Sequence, residues 1–503
     1  MRMRTRTLIL GIAVVVILAA GGAVVLAETS KPSAIPANAT VITVTGATVR
    51  GSLPAGFEGL SMEFRGLEAY AGADSTAINR VFEQLLRNLS PNQQGLLRIG
   101  GDGTDWTWWP VPHVAKPGGV RFDIDRNWMG VAKSLAQTGD LRLIMGINLE
   151  ANSSRVASAE ANAMLTYVGA SHIQGLEIGN EPELYGSFPW YKAANGTHVR
   201  GRPASYDFSD YLREFSTMAR AIPGAPLAGP STGSPTWMQD LPQFLRAEPR
   251  VRVATLHRYP LKHCGKEPLV LTIGELLSSS SQAGLAASVA RYVGVAHAHH
   301  IPLRIDELNA VSCGGQRGVS DTFASALWGL DTLFELARVG VDGVNFHTVP
   351  RTINELVSSD LSGSQWSSHV HPQYYGMMMF AQAAPAGAQM IRVAGASGSL
   401  HVWATRARDQ TMRVTVINED PRRARTVSIR LPQPHGTATL ERLSAPHLGS
   451  TSGVTLGGQT FGEKTTTGKL TGTPHLDSVK SNGRSYTVQL PPASAALLTA
   501  PSS

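Results

Sequence analysis

Between about residue 56 and residue 388, short apolar runs alternate with longer segments whose apolar positions recur every three or four residues. The short runs predict buried strands over 57–62, 96–99, 141–147, 176–178, 226–228, 253–256, 302–305 and 344–346. The longer segments predict helices, among them 76–89, 127–137, 158–168, 209–222 and 321–339. In the last of these, Leu327, Leu330, Phe334 and Arg338 fall on one stripe, the mark of a helix lying with one face on a sheet. Eight strand–helix units in about 330 residues fit a (β/α)8 TIM barrel better than its rival, an open doubly wound sheet. Beyond residue 388 the texture changes. Runs at 393–405, 413–418, 426–431, 438–443 and 485–490 alternate in polarity and are separated by Gly, Pro, Asn and Asp. They predict a C-terminal antiparallel β-sandwich of about 110 residues. A strand-like segment at 40–49 precedes the barrel and is a candidate to join that sandwich.

The N-terminus reads as an address. Residues 1–7 are basic, and residues 8–27 form an unbroken apolar run ending Val25-Leu26-Ala27. That is the pattern of a secretory signal cut after Ala27, although the run is nearly long enough to stay as a membrane anchor. Either outcome places the remaining chain outside the cytoplasm. The division expected is therefore a leader at 1–27, a linker and strand at 28–53, a barrel at 54–388 and a β-sandwich at 389–503. The formal charge of +7 is reduced when the leader arginines Arg2, Arg4 and Arg6 are set aside, which argues against a nucleic-acid partner. Membrane contact is expected only if the leader is retained. With two cysteines in 503 residues, a disulfide-knotted scaffold and a four-cysteine zinc site are excluded.

In TIM barrels the reacting groups stand at the C-terminal ends of strands. The fourth predicted strand closes as Gly175-Leu-Glu-Ile-Gly-Asn-Glu-Pro182, which puts Asn180 and Glu181 at the mouth. The seventh closes as Leu303-Arg-Ile-Asp-Glu-Leu-Asn309, which puts Glu307 there. Strand alternation turns Asp306 the other way, towards the helices. Two carboxylates facing each other supply what glycosidic cleavage needs, one protonated to release the leaving oxygen and one ionised to attack the anomeric carbon. Glu177 shares the face of Glu181 but lies deeper, and is expected to be structural. Glu183 is expected in an exposed loop.

GLEIGNEP and RIDELN, together with Gly59-Leu-Ser-Met-Glu63 and Leu97-Arg-Ile-Gly-Gly101, resemble glycoside hydrolase family 79, the β-glucuronidases and heparanases. The resemblance spans the barrel, and the predicted sandwich matches that family's C-terminal domain. It implies Glu181 as acid/base, Glu307 as nucleophile, Asn180 at the sugar's 2-hydroxyl, and Glu63 at hydroxyls on the far side of the −1 sugar. It also implies Tyr259 as a hydrogen-bond donor to the nucleophile. For a uronate carboxylate it implies backbone N–H groups after the nucleophile, with Gly314 the close-approach residue, and a tyrosine matched by Tyr374. Family members often carry a tyrosine where Ser312 or Cys313 stands. The implied activity is an exported, retaining, chiefly exo-acting β-glucuronidase that needs no cofactor and acts on a glycan or glycoside containing glucuronic acid. An endo-acting heparanase-like enzyme, a glycosidase for a neutral sugar and a non-catalytic glycan binder are the alternatives.

Cys264 and Cys313 follow the sixth and seventh strands, on neighbouring loops of one face. Outside the cytoplasm a disulfide between them is favoured over two free thiols. Trp106, Trp108, Trp109, Trp190 and Tyr191 are equally candidates for sugar stacking and for loop packing. His257 and His347 read first as core histidines. His297, His299 and His300 lack a ligand motif, so no metal is expected. A basic rim of Arg200, Arg202, Arg258, Lys262 and Lys266 favours the endo reading if these residues cluster. Gly100-Gly-Asp-Gly103 is a weak phosphate-loop signal, since no Lys-Ser/Thr follows.

Overall fold

The structure, a computed structural model, describes residues 36, 38–222, 224–264 and 270–502. The leader, the linker up to residue 35 and Lys266 lie outside the described residues. Eight parallel strands close a barrel in chain order: Glu58–Glu63, Gly95–Gly100, Leu141–Ile147, Ile173–Ile178, Leu227–Thr232, Val251–Arg258, Leu303–Leu308 and Gly343–Thr348. These are barrel strands one to eight, and the last pairs with the first through Val344↔Glu58 to Thr348↔Met62. Each falls on a run singled out by its apolar character. Helices start where side chains satisfy their free N–H groups. Asn79 accepts from Val81 and Phe82 ahead of Arg80–Asn88, and Asp125 from Trp128 ahead of Arg126–Gly139. Asp207 and Asp210 form a reciprocal box ahead of Phe208–Ala221.

The C-terminal domain is a separate ten-stranded sheet. Its strands share one core, in which Val402, Val414, Val416 and Leu498 lie with Val427, Ile429, Tyr486 and Val488. Strand Thr40–Ser52 belongs to it, antiparallel to Gln389–Ala394 and parallel to Arg425–Arg430. The single strand expected over 393–405 is two, Gln389–Ala394 and Leu400–Arg406. Gly395 (φ 102°) and Gly398 (φ 63°) turn the chain between them in a conformation that side chains oppose. The final strand, Ser494–Ala500, shows no alternation because its residues from Ser494 to Leu498 are all buried.

Helix Phe323–Arg338 departs from the amphipathic expectation, for Phe323 through Ala337 are all buried. The sheet domain covers its outer side. Trp403 stacks on Phe334 at 5.5 Å, and its indole N–H donates to Asp331 at 2.7 Å. The first N–H groups of the helix donate to the Ser450 and Leu448 carbonyls, a cap supplied by the other domain. His401 bridges Asp331 (3.2 Å) on this helix and Glu419 (3.4 Å) on the sheet domain. Burial lowers the His401 pKa, but hydrogen bonds and charge from Asp331 and Glu419 outweigh it and push the imidazole up to about 11. Its contribution is complete below the unfolded value of about 6.5 and fades as pH rises towards the folded one. His401→Ala is expected to cost about 3 kcal/mol or more, because two enclosed carboxylates lose their cation. Urea unfolding at pH 6 and pH 9 checks this, and the wild type should lose more stability than the variant across that interval. Among the described residues no helix is long and apolar enough to cross a membrane.

Candidate active site

Arg98, on barrel strand two, lies between apolar neighbours and is wholly buried. A guanidinium there needs a full set of acceptors, and the barrel provides them. Its Nε donates to Glu177 Oε2 (2.8 Å) and lies 3.1 Å from Asp306 Oδ2. Nη1 donates to Glu307 Oε2 (2.7 Å) and Ser61 Oγ (3.2 Å), and Nη2 to Asn180 Oδ1 (2.8 Å) and Ser231 Oγ (3.3 Å). Glu177 completes this layer by accepting from Thr255 at 2.7 Å. Asp306 thus points into the barrel, against the expectation from alternation. The cause is a bulge: Leu256 pairs with Ile305 and His257 with Glu307, leaving Asp306 as an extra residue.

Glu307 stands above this layer. Tyr259 donates to its Oε1 at 2.9 Å, and His257 and His347 lie 3.8 and 3.9 Å from Oε2. Burial pushes the Glu307 carboxyl up, but the charges of His347, His257 and Arg98 outweigh it and hold the group well below the usual carboxylate range. Glu181 comes from the end of strand four with φ 43°, a left-handed conformation uncommon for a glutamate. Its Oε1 is 3.1 Å from His257 Nδ1, whose ring bonds Ser231 on the other side at 3.0 Å. Burial lowers the His257 pKa, yet Glu307 and the bond to Glu181 raise it to about 9. One oxygen each of Glu181 and Glu307, with a His257 nitrogen, lie within 4.8 Å of one another. The Glu181 side chain is 23% exposed against 10% for Glu307, so one faces the water and the other the protein.

Glu63 closes strand one. His347 lies 3.4 Å from its Oε1, and the Gly103 N–H donates to Oε2. The Gly100-Gly-Asp-Gly103 run has its explanation here. A Cβ at Gly101 would fall 2.3 Å from Glu63 Oε1, and one at Gly103 would fall 2.4 Å from Oε2. Asp102 is open to water but recessed in the mouth. That recess, then the charges of Glu63, Glu181 and Glu307, push its carboxyl up to about 8 against the pull of His347. Glu183 is not an exposed loop residue as expected. Its carboxylate turns inward to the Gly233 N–H (2.7 Å), and burial and Glu181 push it up to about 7.

Asn180, Tyr259 and Glu63 therefore gather around the two glutamates, and Tyr374 does not. Pro372 opens helix Pro372–Ala383, which buries Tyr374 completely and points its hydroxyl at the Leu85 carbonyl. Gly314, with φ 90°, lies in the loop after strand seven, where its carbonyl accepts from Ile353 (2.9 Å) and Asn354 (3.1 Å) of the loop after strand eight. Cys264 and Cys313 are joined in a disulfide with a Cα separation of 5.4 Å. Trp108 and Trp190 fill a small core shared by the loops after strands two and four, and Trp109 stacks on Tyr167. Two of the basic rim residues are engaged elsewhere. Arg202 is buried against Glu214 and the Leu149 and Glu150 carbonyls, and Arg258 reaches Ser288 on a helix. His297 is engaged with Asp342 at 2.7 Å. Among the described residues two clusters have metal-ligand spacing, Glu177/His257/Asp306 and Glu181/His257/Glu307, but in the first Arg98 already supplies the countercharge. Sequence reasoning gives no role to Arg98, Asp102, Ser61 or Ser231. For Arg98 a signal exists, a lone charge amid apolar residues on a predicted barrel strand.

The closed barrel with opposed glutamates at its C-terminal mouth is the architecture of the barrel glycoside hydrolases. The comparisons narrow the class: residues 402–497 match the model of the glycosyl hydrolase family 79 C-terminal beta domain, and the chain is related to that family. A β-glucuronidase of Neurospora crassa is 24% identical over 367 residues, 64% of this chain and 62% of that protein. Inactive heparanase-2 of Mus musculus is 24% identical over 256 residues, 49% of this chain and 42% of that protein. The chain thus spans less than two thirds of the length of these relatives. Among solved structures, a 4-O-α-L-rhamnosyl-β-D-glucuronidase from Fusarium oxysporum 12S superposes with a TM-score of 0.70 at 20% identity, covering 91% of this chain and 100% of that one. A family 51 arabinofuranosidase from Xanthomonas axonopodis pv. citri gives 0.64 at 13% identity, covering 92% and 99%.

Proposed function

We propose that the chain is an exported, retaining β-glucuronidase, chiefly exo-acting, that releases glucuronic acid from a glycan or glycoconjugate. The observation that carries this reading is the approach of Glu181 and Glu307 oxygens within 4.8 Å, with Glu307 held ionised. Oxygens this close leave no room for the intervening water that an inverting mechanism needs, and suit direct attack. Glu307 attacks the anomeric carbon while Glu181 gives its proton to the leaving oxygen. A covalent glycosyl-enzyme forms, and Glu181 then takes a proton from water, which releases the sugar with its configuration kept. Arg98 and Tyr259 orient the nucleophile, and Asn180, fixed by Arg98, faces the 2-hydroxyl. The glucuronide preference is supported by the names of the fungal relatives and by the backbone donors after strand seven. The disulfide supports an oxidising compartment. The loops after strands two and four interlock through Arg121 and the Trp190 carbonyl (2.9 Å), which favours exo over endo action, as does the engagement of Arg202 with Glu214 and of Arg258 with Ser288.

The test is a panel of fluorogenic aryl glycosides comparing glucuronide, glucoside and xyloside, with product anomers followed by NMR. Preference for glucuronide with first release of the β-anomer supports the proposal. Preference for a neutral sugar moves the substrate class, which the displacement of Tyr374 from the mouth makes a real contender. No turnover on any member favours the non-catalytic reading, to which the name of the inactive heparanase-2 relative also points. Glu181→Ala should slow substrates with poor leaving groups by about 100-fold or more while sparing activated aryl leaving groups, because these need little protonation. Steady-state rates on a series of leaving groups measure this, and equal losses across the series count against Glu181 as the acid.

A further inference from the structure

Glu181 opens the short turn Pro182–Leu184 in a left-handed conformation, and its side chain makes no cap bond to that turn. Such backbone persists only where its surroundings fix it. The Glu181 N–H donates to the Ser231 carbonyl on strand five (2.9 Å), and its carbonyl accepts from the Leu184 N–H (2.9 Å). One residue earlier, the Asn180 N–H donates to the hydroxyl of Tyr185 at 3.2 Å. Tyr185 is buried, and its hydroxyl donates in turn to Asp105 Oδ2 at 2.6 Å. Burial and Asp105 push the Tyr185 pKa well above its usual value, so the hydroxyl keeps the proton this bond needs. Asp105, buried in the loop after strand two, is itself fixed. Its Oδ1 accepts from the Leu149 (2.9 Å) and Glu150 (3.0 Å) N–H groups, which follow strand three. Gly179 admits this arrangement, since a Cβ there would fall 2.8 Å from the Tyr185 hydroxyl.

We infer that Tyr185, anchored by Asp105, is a positioning residue for the acid/base, fixing the Asn180–Glu181 peptide so that the Glu181 carboxyl meets the leaving oxygen. The inference rests on the acid/base reading of Glu181 and deepens it. A buried N–H that loses its acceptor must find another, and the turn shifts to provide one. Proton transfer needs the acid within hydrogen-bond reach of the leaving oxygen, so a small shift slows protonation. The nucleophile is spared, because Arg98 and Tyr259 hold Glu307 independently. The Asn180 side chain likewise keeps its own bond to Arg98.

The experiment measures kcat/KM for Tyr185→Phe on aryl glycosides of graded leaving ability, in the sugar that the wild type turns over. Glu181→Ala and the Glu181→Ala/Tyr185→Phe double variant are measured beside it. The poorest leaving groups should lose about tenfold or more, and the most activated less than about threefold. Because Tyr185 acts through Glu181, the double variant should fall no more than about twofold below Glu181→Ala. If Tyr185→Phe does not fold, Asp105→Asn, which keeps the shape but sets an amide N–H against the hydroxyl, should show the same graded loss. An equal loss across the series, a loss under about twofold throughout, or a double variant in which the two losses multiply overturns the inference. Failure of the underlying reading looks different: Glu181→Ala by itself then loses equally on every leaving group.

Discussion

Glu307→Gln is expected to lower kcat on an aryl glucuronide by about 10⁴-fold or more, as loss of a covalent nucleophile does. The amide keeps the shape of the carboxylate but offers no anion to the anomeric carbon. It also leaves the Arg98 Nη1 and Tyr259 donors facing a group that satisfies one oxygen's worth of them. Stopped turnover with a melting temperature near that of wild type identifies the loss as chemical. Residual activity within tenfold of wild type would take Glu307 out of the nucleophile's place.

Arg98→Met is expected to fail more broadly. Its guanidinium sits among Glu177, Asp306 and Glu307, and its removal leaves buried carboxylates without their cation. Breaking such a pair by removing one partner costs about 3–5 kcal/mol, and here several partners are lost together. The nucleophile also loses its steering bond, and a displacement near 1 Å can cost about 100-fold in rate. Arg98 helps hold the Glu307 carboxyl low, so in a folded Met variant that carboxyl rises and the acid limb of kcat/KM moves to higher pH. Denaturant unfolding and a pH–rate profile on Arg98→Met measure both effects. An unshifted acid limb would show that the two histidines alone keep Glu307 ionised.

The barrel strands are legible in the sequence because a buried parallel strand has no polar face and its apolar run stands out. The paired glutamates are legible because strand ends are fixed by the turns that follow them. What stays hidden depends on contacts between distant segments. Nothing local marks Asp306 as the bulged residue, since the bulge is a mismatch with a neighbouring strand. The outer face of Phe323–Arg338 reads as solvent-facing because its cover, Trp403 and the loop near Ser450, comes from far along the chain. Resemblance draws Tyr374 to the mouth, although Pro372 marks a helix start and the helix carries the ring away. The glutamate positions follow from chain-local turns, whereas the proton balance around them is set by Arg98, His257 and His347 arriving from three other strands.

Thr40–Ser52 lies between Gln389–Ala394 and Arg425–Arg430, so the domain that follows the barrel is completed by a strand that precedes it. That segment must wait, its hydrogen-bonding edges unmatched, while some 340 residues of barrel emerge and fold. Until it docks, two partner edges of the sheet stay open to any other extended peptide. Segments on either side of the barrel are thereby stitched into one fabric, and neither domain can be detached by cutting a single linker.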